Sequence, residues 1–173
     1  QLCSQLVKDQ GAIGRIFNVY LNVASARVKG TDLEFTYDME PNFFDNQQES
    51  FSVRGLAGFI KERSDTPFGN PVPTELQGSR DNPETNALLT VNYGIGPWNV
   101  QLQQKYIEGV LLNRRWVEGV DVDDNTISSG NYTNGRLRYT SEMANGGEWT
   151  LSFDVTNLLD RGMPIIAGGS QAI

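Results

Sequence analysis

The sequence predicts an all-β protein: an antiparallel up-and-down meander of about seven long strands, part of a transmembrane β-barrel. Three observations carry this. Apolar and polar residues alternate with a period of two in segments of about ten residues, the length of a tilted strand crossing a bilayer. Short and long connections alternate between those segments. No sustained helical period competes.

The segments follow in order. In 15–23, Phe17, Val19, Leu21 and Val23 oppose Asn18, Tyr20 and Asn22. In 30–39, Leu33, Phe35, Tyr37 and Met39 oppose Asp32, Glu34, Thr36 and Asp38. In 50–61, Phe51, Val53, Ala57 and Phe59 oppose Ser52 and Arg54, while Leu56 and Ile60 blur the polar face. In 86–94, Leu89, Val91 and Tyr93 oppose Thr90 and Asn92. In 98–108, Trp98, Val100, Leu102 and Tyr106 oppose Asn99, Gln101, Gln103 and Lys105. In 133–142, Leu137 and Tyr139 oppose Arg136, Arg138 and Thr140. In 148–158, Trp149, Leu151, Phe153 and Val155 oppose Thr150, Ser152, Asp154 and Thr156. Gly55, Gly58 and Gly109 fall in or beside strands, where glycine marks a bend or a close approach.

Connections 94–97 and 144–147 are tight and glycine-rich, whereas 62–85 and 110–132 are long and polar. In a meander, alternate connections lie at the same end. One end therefore carries short turns and the other long loops, as in outer-membrane barrels. Tyr37, Phe51, Tyr93, Trp98, Tyr139 and Trp149 flank the short-turn end and are the candidate membrane girdle. Asp32, Glu34, Arg54, Gln101, Gln103, Lys105, Arg136, Arg138 and Asp154 project from the polar face and are the candidate lumen residues. A soluble β-sandwich could place the same rings in its core and the same charges on its outer surface, so that alternative stays open here.

Composition narrows the function. At 173 residues the chain allows one domain or part of a larger one. A net charge of −7 argues against nucleic-acid binding. No apolar run is long enough for a transmembrane helix. Neither end resembles a signal peptide, and the chain lacks a start Met, so it looks processed or cut from something longer. The single cysteine, Cys3, is either a thiol or half of a disulfide with a partner upstream. The absence of histidine removes Ser–His and Cys–His nucleophile pairs and most zinc sites. Asp121-Val122-Asp123-Asp124-Asn125 begins like a calcium loop, but Thr126 and Tyr132 replace its Gly and Glu. Asp32 and Glu34 share a strand face and could form a carboxylate pair, yet charge on a wet face explains them. The sequence thus implies no catalytic residue, metal or cofactor, and a soluble carbohydrate- or calcium-binding β-sandwich module is the alternative reading.

Several motifs resemble the C-terminal part of a TonB-dependent receptor, over nearly the whole chain. Asn22 followed by Lys29-Gly30-Thr31-Asp32-Leu33-Glu34 is similar to the family's Asn and Gly-x-Asp-x-Glu strand. Pro83, Leu89 and Tyr93, then Gly96-Pro97-Trp98, follow the family's proline, strand and tryptophan turn. Asn157-Leu158-Leu159-Asp160-Arg161 matches its Asn-Leu-Phe-Asp-Arg ending, with Leu159 in place of the aromatic. Cys3 to Ile16 resembles a subgroup with a Cys before a charged Gly-x-Ile segment. The order and spacing of these motifs are more specific than any one of them.

The resemblance implies that residues 1–173 are a C-terminal barrel portion whose plug, early strands and closing strand are absent. Members of the family form barrels of about twenty-two strands around a plug. It also implies a Gram-negative outer-membrane location, outer-membrane lipid around the wall and the TonB complex as a partner through the absent N-terminal part. The expected activity is energised import of a small molecule or oligosaccharide: an iron chelate, cobalamin or a sugar chain. Arg114, Arg115, Trp116 and Tyr132 are then the candidate ligand contacts in the long loops.

Overall fold

The computed structural model describes residues 6–9, 12–16, 25–45, 47–67 and 72–164. Its described elements are all strands. They are β1 (Leu6–Asp9), β2 (Ala12–Ile16), β3 (Ser25–Met39), β4 (Glu49–Thr66), β5 (Thr74–Glu75), β6 (Thr85–Ile95), β7 (Trp98–Ile107), β8 (Val110–Leu111), β9 (Thr126–Ile127), β10 (Gly130–Glu142) and β11 (Glu148–Val155). Seven form one antiparallel sheet in the order β11-β10-β7-β6-β4-β3, with β5 on β4. The long strands are therefore neighbours in chain order, which is the expected up-and-down meander. β1 and β2 pair as a separate hairpin, as do β8 and β9. Of the expected strand 15–23, residues 17–23 lie outside the described residues, as does Cys3.

Alternation along each strand becomes two continuous faces because the register is in phase across the sheet. Tyr37 pairs with Val53, Val53 with Val91, Val91 with Leu102 and Leu102 with Gly135. Leu137 pairs with both Val100 and Phe153. A slip of one residue anywhere would send the apolar set of that strand to the wrong side.

The turns fit this registration. Gly96 and Pro97 alone join β6 to β7, with Gly96 at φ +51°, the backbone a two-residue hairpin turn demands at its first central position. The β10–β11 turn closes through Met143 N–H to Gly147 O at 2.6 Å and Gly146 N–H to Met143 O at 3.0 Å.

Four boundaries differ from the sequence expectation, one of them the start of β10, at Gly130 rather than residue 133. β3 starts at Ser25 and β4 runs to Thr66, so charged residues assigned to the 62–85 loop are strand. Lys29 pairs with Glu62 and Gly30 with Ile60, leaving Lys61 as the extra residue of a bulge. Beyond that bulge, Glu62 meets Arg27 at 3.3 Å and Lys29 at 2.8 Å, so charge pairs continue the strand where apolar alternation stops. At the other end β11 stops at Val155 rather than at residue 158. Asn157 turns the chain at φ +53°; its side chain accepts from Arg161 N–H at 2.9 Å and donates to Arg161 O at 3.1 Å.

No aliphatic or aromatic side chain among the described residues is fully buried. Leu151 and Phe153 remain 64% and 67% exposed, and Phe35 57%. The apolar face is ordered yet uncovered, so the described residues contain no second sheet or helix that would make it a core.

Candidate functional site: a two-faced wall and its loops

The nine candidate lumen residues all stand on one face. One cross-strand row on that face reads Asp38, Ser52, Asn92, Gln101, Arg136, Asp154, each paired with the next. Side-chain bonds follow it: Asn92 donates to Ser52 Oγ at 3.1 Å, and Gln101 donates to Asn92 Oδ1 at 2.8 Å. Arg136 closes the row by binding Asp154 through its Nε. Alongside, Arg54 grips Glu34 Oε1 through Nε at 3.0 Å and Nη2 at 2.7 Å, and Asn134 donates to Gln103 Oε1 at 3.3 Å. Lys105 and Arg138 are on the same face, and among the described residues neither has an ion-pair partner. Amides and internally matched charges thus form a surface able to exchange hydrogen bonds with water or a hydroxylated solute.

Leu56 and Ile60, which blur this face in the sequence, do stand on it, Leu56 between Glu34 and Leu88 and Ile60 opposite Gly30. Leu56 pairs with Leu88, Leu88 with Lys105 and Lys105 with Tyr132, while Asn86 pairs with Ile107. Tyr132 therefore lies on the polar face rather than in a loop, with its ring against Gly130.

The opposite face carries no charge over a long span. From Phe51 to Phe59 on β4, and at every paired outward position of β6, β7, β10 and β11, the residues are apolar or uncharged. Among the described residues charge returns at Glu49 on one side and, on the other, at the Arg27–Glu62–Lys29 cluster and Glu75. Gln104, with Thr133 donating to it at 2.6 Å, is the main polar interruption.

All six candidate girdle residues stand on this uncharged face, one per strand. Trp98 and Tyr139 have ring centroids 4.6 Å apart, and Tyr139 and Trp149 5.4 Å. Tyr139 pairs with Trp98, and Phe51 with Tyr93. Across each turn-end hairpin the ring steps two residues away from the turn: from Ser141, the partner of Trp149, to Tyr139; from Ile95, the partner of Trp98, to Tyr93; from Met39, the partner of Phe51, to Tyr37. The aromatic line therefore crosses the strands obliquely.

The long loops are tied to each other. Leu111 N–H donates to Gly78 O at 2.9 Å. Arg114 binds Gln77 O and, at 3.0 Å, Glu75 Oε2, while Arg115 reaches Thr74 Oγ1 at 3.3 Å. Two of the predicted ligand contacts thus have partners within the protein, whereas the Trp116 side chain is exposed. Asn125, only 5% exposed, organises the turn by donating to Asn113 O and Trp116 O and accepting from Asn113 N–H. Asp121 accepts from Val117 N–H at 2.8 Å and Asp124 from Thr126, so both carboxylates brace their own loop. The Thr126 hydroxyl, then its N–H, hold the Asp124 carboxyl below the usual carboxylate range. Among the described residues no three acidic, Cys or His side chains gather in metal-binding geometry.

A cleft of about 430 Å³ opens between the loops, lined by Gly78, Glu84, Glu108, Leu111, Arg114 and Ile127. Glu108 has one carboxylate oxygen, Oε2, buried without a hydrogen-bond partner. The sequence offered no signal for this cleft, because it forms only when the two loops dock. No protein family, no curated protein and no solved structure matches this chain.

Proposed function

We propose that this chain is wall and loops of an outer-membrane β-barrel receptor of the TonB-dependent type, importing a scarce small molecule or oligosaccharide. The observation that carries the reading is the segregation of charge. One face is uncharged from Phe51 to Phe59 and across the four following strands; the other carries Asp32, Glu34, Arg54, Lys105, Arg136, Arg138 and Asp154. Lipid imposes this division, because a midplane charge costs about 2–4 kcal/mol.

The aromatic line supports it quantitatively. It climbs six residues over five strand spacings. At about 3.4 Å per residue and 4.8 Å per strand, that is an inclination of about 40°, within the tilt of barrel strands. If the rings mark one membrane level, the strands cross at that angle. Phe51 to Phe59 then covers about 20 Å of depth, close to the apolar band of such barrels.

In this reading the polar face, with Tyr132 near its loop end, lines the solute path, and the docked loops lie outside the cell, where Trp116 and the cleft beside Glu108 meet the substrate. The TonB complex acts through a part of the receptor beyond these residues. Membrane fractionation of the full-length protein tests the proposal. It should sediment with outer membranes and enter solution only with detergent. A freely soluble, folded full-length protein would contradict it.

A further inference from the structure

The connection 40–48 holds an arrangement that strand pairing does not explain. Glu49 begins β4 on the uncharged face, yet it is only 4% exposed. Its Oε1 accepts from the backbone N–H groups of both Phe43 and Phe44 at 2.8 Å. Its Oε2 accepts the Tyr93 hydroxyl at 2.6 Å. The carboxylate thus ties the turn to a ring of the aromatic line. Meanwhile Phe43 and Phe44 are 72% and 55% exposed.

From this geometry we infer that Phe43 and Phe44 form an interfacial lipid anchor, seated in the leaflet beside the aromatic line with Glu49 as their clamp. The inference rests on the membrane reading above. Three features favour lipid as the occupant. The pair is joined through Glu49 and Tyr93 to a face that is uncharged from Phe51 to Phe59. Aromatic side chains are favoured at the membrane–water boundary. An exposed turn normally stays out of that zone because its N–H groups need water, and here two of them already have an acceptor.

Nitroxide labels test this in the full-length protein, reconstituted in phosphatidylcholine vesicles with Cys3→Ser. Labels go on Phe43→Cys, Phe44→Cys, Ala144→Cys and Leu151→Cys, and collisions with a water-soluble nickel chelate and with oxygen are compared. Ala144 reports another turn at the same end, and Leu151 the lipid face. The labels at 43 and 44 should meet the chelate several-fold less often than the label at 144. Adding Glu49→Ala should raise their exposure to that of 144. If 151 is shielded but 43 and 44 match 144, the anchor is overturned and the barrel reading stands. If 151 itself meets the chelate freely, both fail.

Discussion

Trp98 and Tyr139 face each other across the β7–β10 pairing, directly in register and with ring centroids 4.6 Å apart. Trp149 extends the cluster on the other side of Tyr139. Contacts of this kind are worth about 0.5–1.5 kcal/mol beyond their area. Trp98 and Trp149 are nevertheless exposed among the described residues. Tyr139→Ala should therefore lower stability in detergent by about 1–2 kcal/mol, since it removes both contacts. Denaturant unfolding of the full-length protein measures this.

Gly30 should resist substitution. A Cβ there would lie 2.6 Å from Phe59 O, which is backbone and cannot swing away. Gly30→Ala should disturb the bulge at Lys61 and lower stability by about 1–3 kcal/mol, as overpacking does. Gly146→Ala has open space around its Cβ, but its φ of +79° makes it the strain control. The bulge account expects Gly30→Ala to change hydrogen exchange at Lys61 and Glu62, and Gly146→Ala to leave it unchanged.

Asn157 stitches the turn after β11. Besides its two bonds to Arg161, its N–H donates to Asn134 Oδ1 at 2.9 Å. Asn157→Ala loses the side-chain bonds and keeps a positive φ, for a cost of about 1–3 kcal/mol. Local proteolysis after Val155 should rise, while Leu159→Phe, at an exposed position, should have little effect.

The Asp124 brace gives a pH prediction. Its folded carboxyl titrates below the ordinary value because Thr126 bonds the charged form. The group therefore stabilises its loop above the unfolded value, and that contribution disappears as pH falls through the folded one. The Thr126 amide resonance should titrate with a midpoint below that of a free Asp, and Asp124→Ala should abolish the transition.

Alternation made both faces legible in the sequence, because the six long strands keep the period of two in phase as far as the bulge at Lys61. In Leu33 to Met39 and Trp149 to Val155 the alternation alone separates the two faces. The extension of β4 to Thr66 could not, since its pairing uses Glu62 with Arg27 and Lys29 rather than apolar alternation. Loop contacts were equally hidden. Arg114 resembles a free cation in sequence, but its partners Glu75 and Gln77 lie 39 and 37 residues away. Asn125 resembles a calcium ligand for the same reason; its carbonyl partners belong to Asn113 and Trp116.

The face assignment is the centre of this account, and neighbouring positions on one strand test it most directly. Leu151→Arg and Ser152→Arg differ by one residue in sequence and by the whole thickness of the wall in placement. Val100→Arg and Gln101→Arg repeat the comparison on β7. The quantity to measure is folded full-length protein recovered from the outer membrane. Arg at 151 or 100 should block assembly, since charge near the lipid midplane costs about 2–4 kcal/mol, while Arg at 152 or 101 should be tolerated. Equal recovery of all four variants would contradict the account.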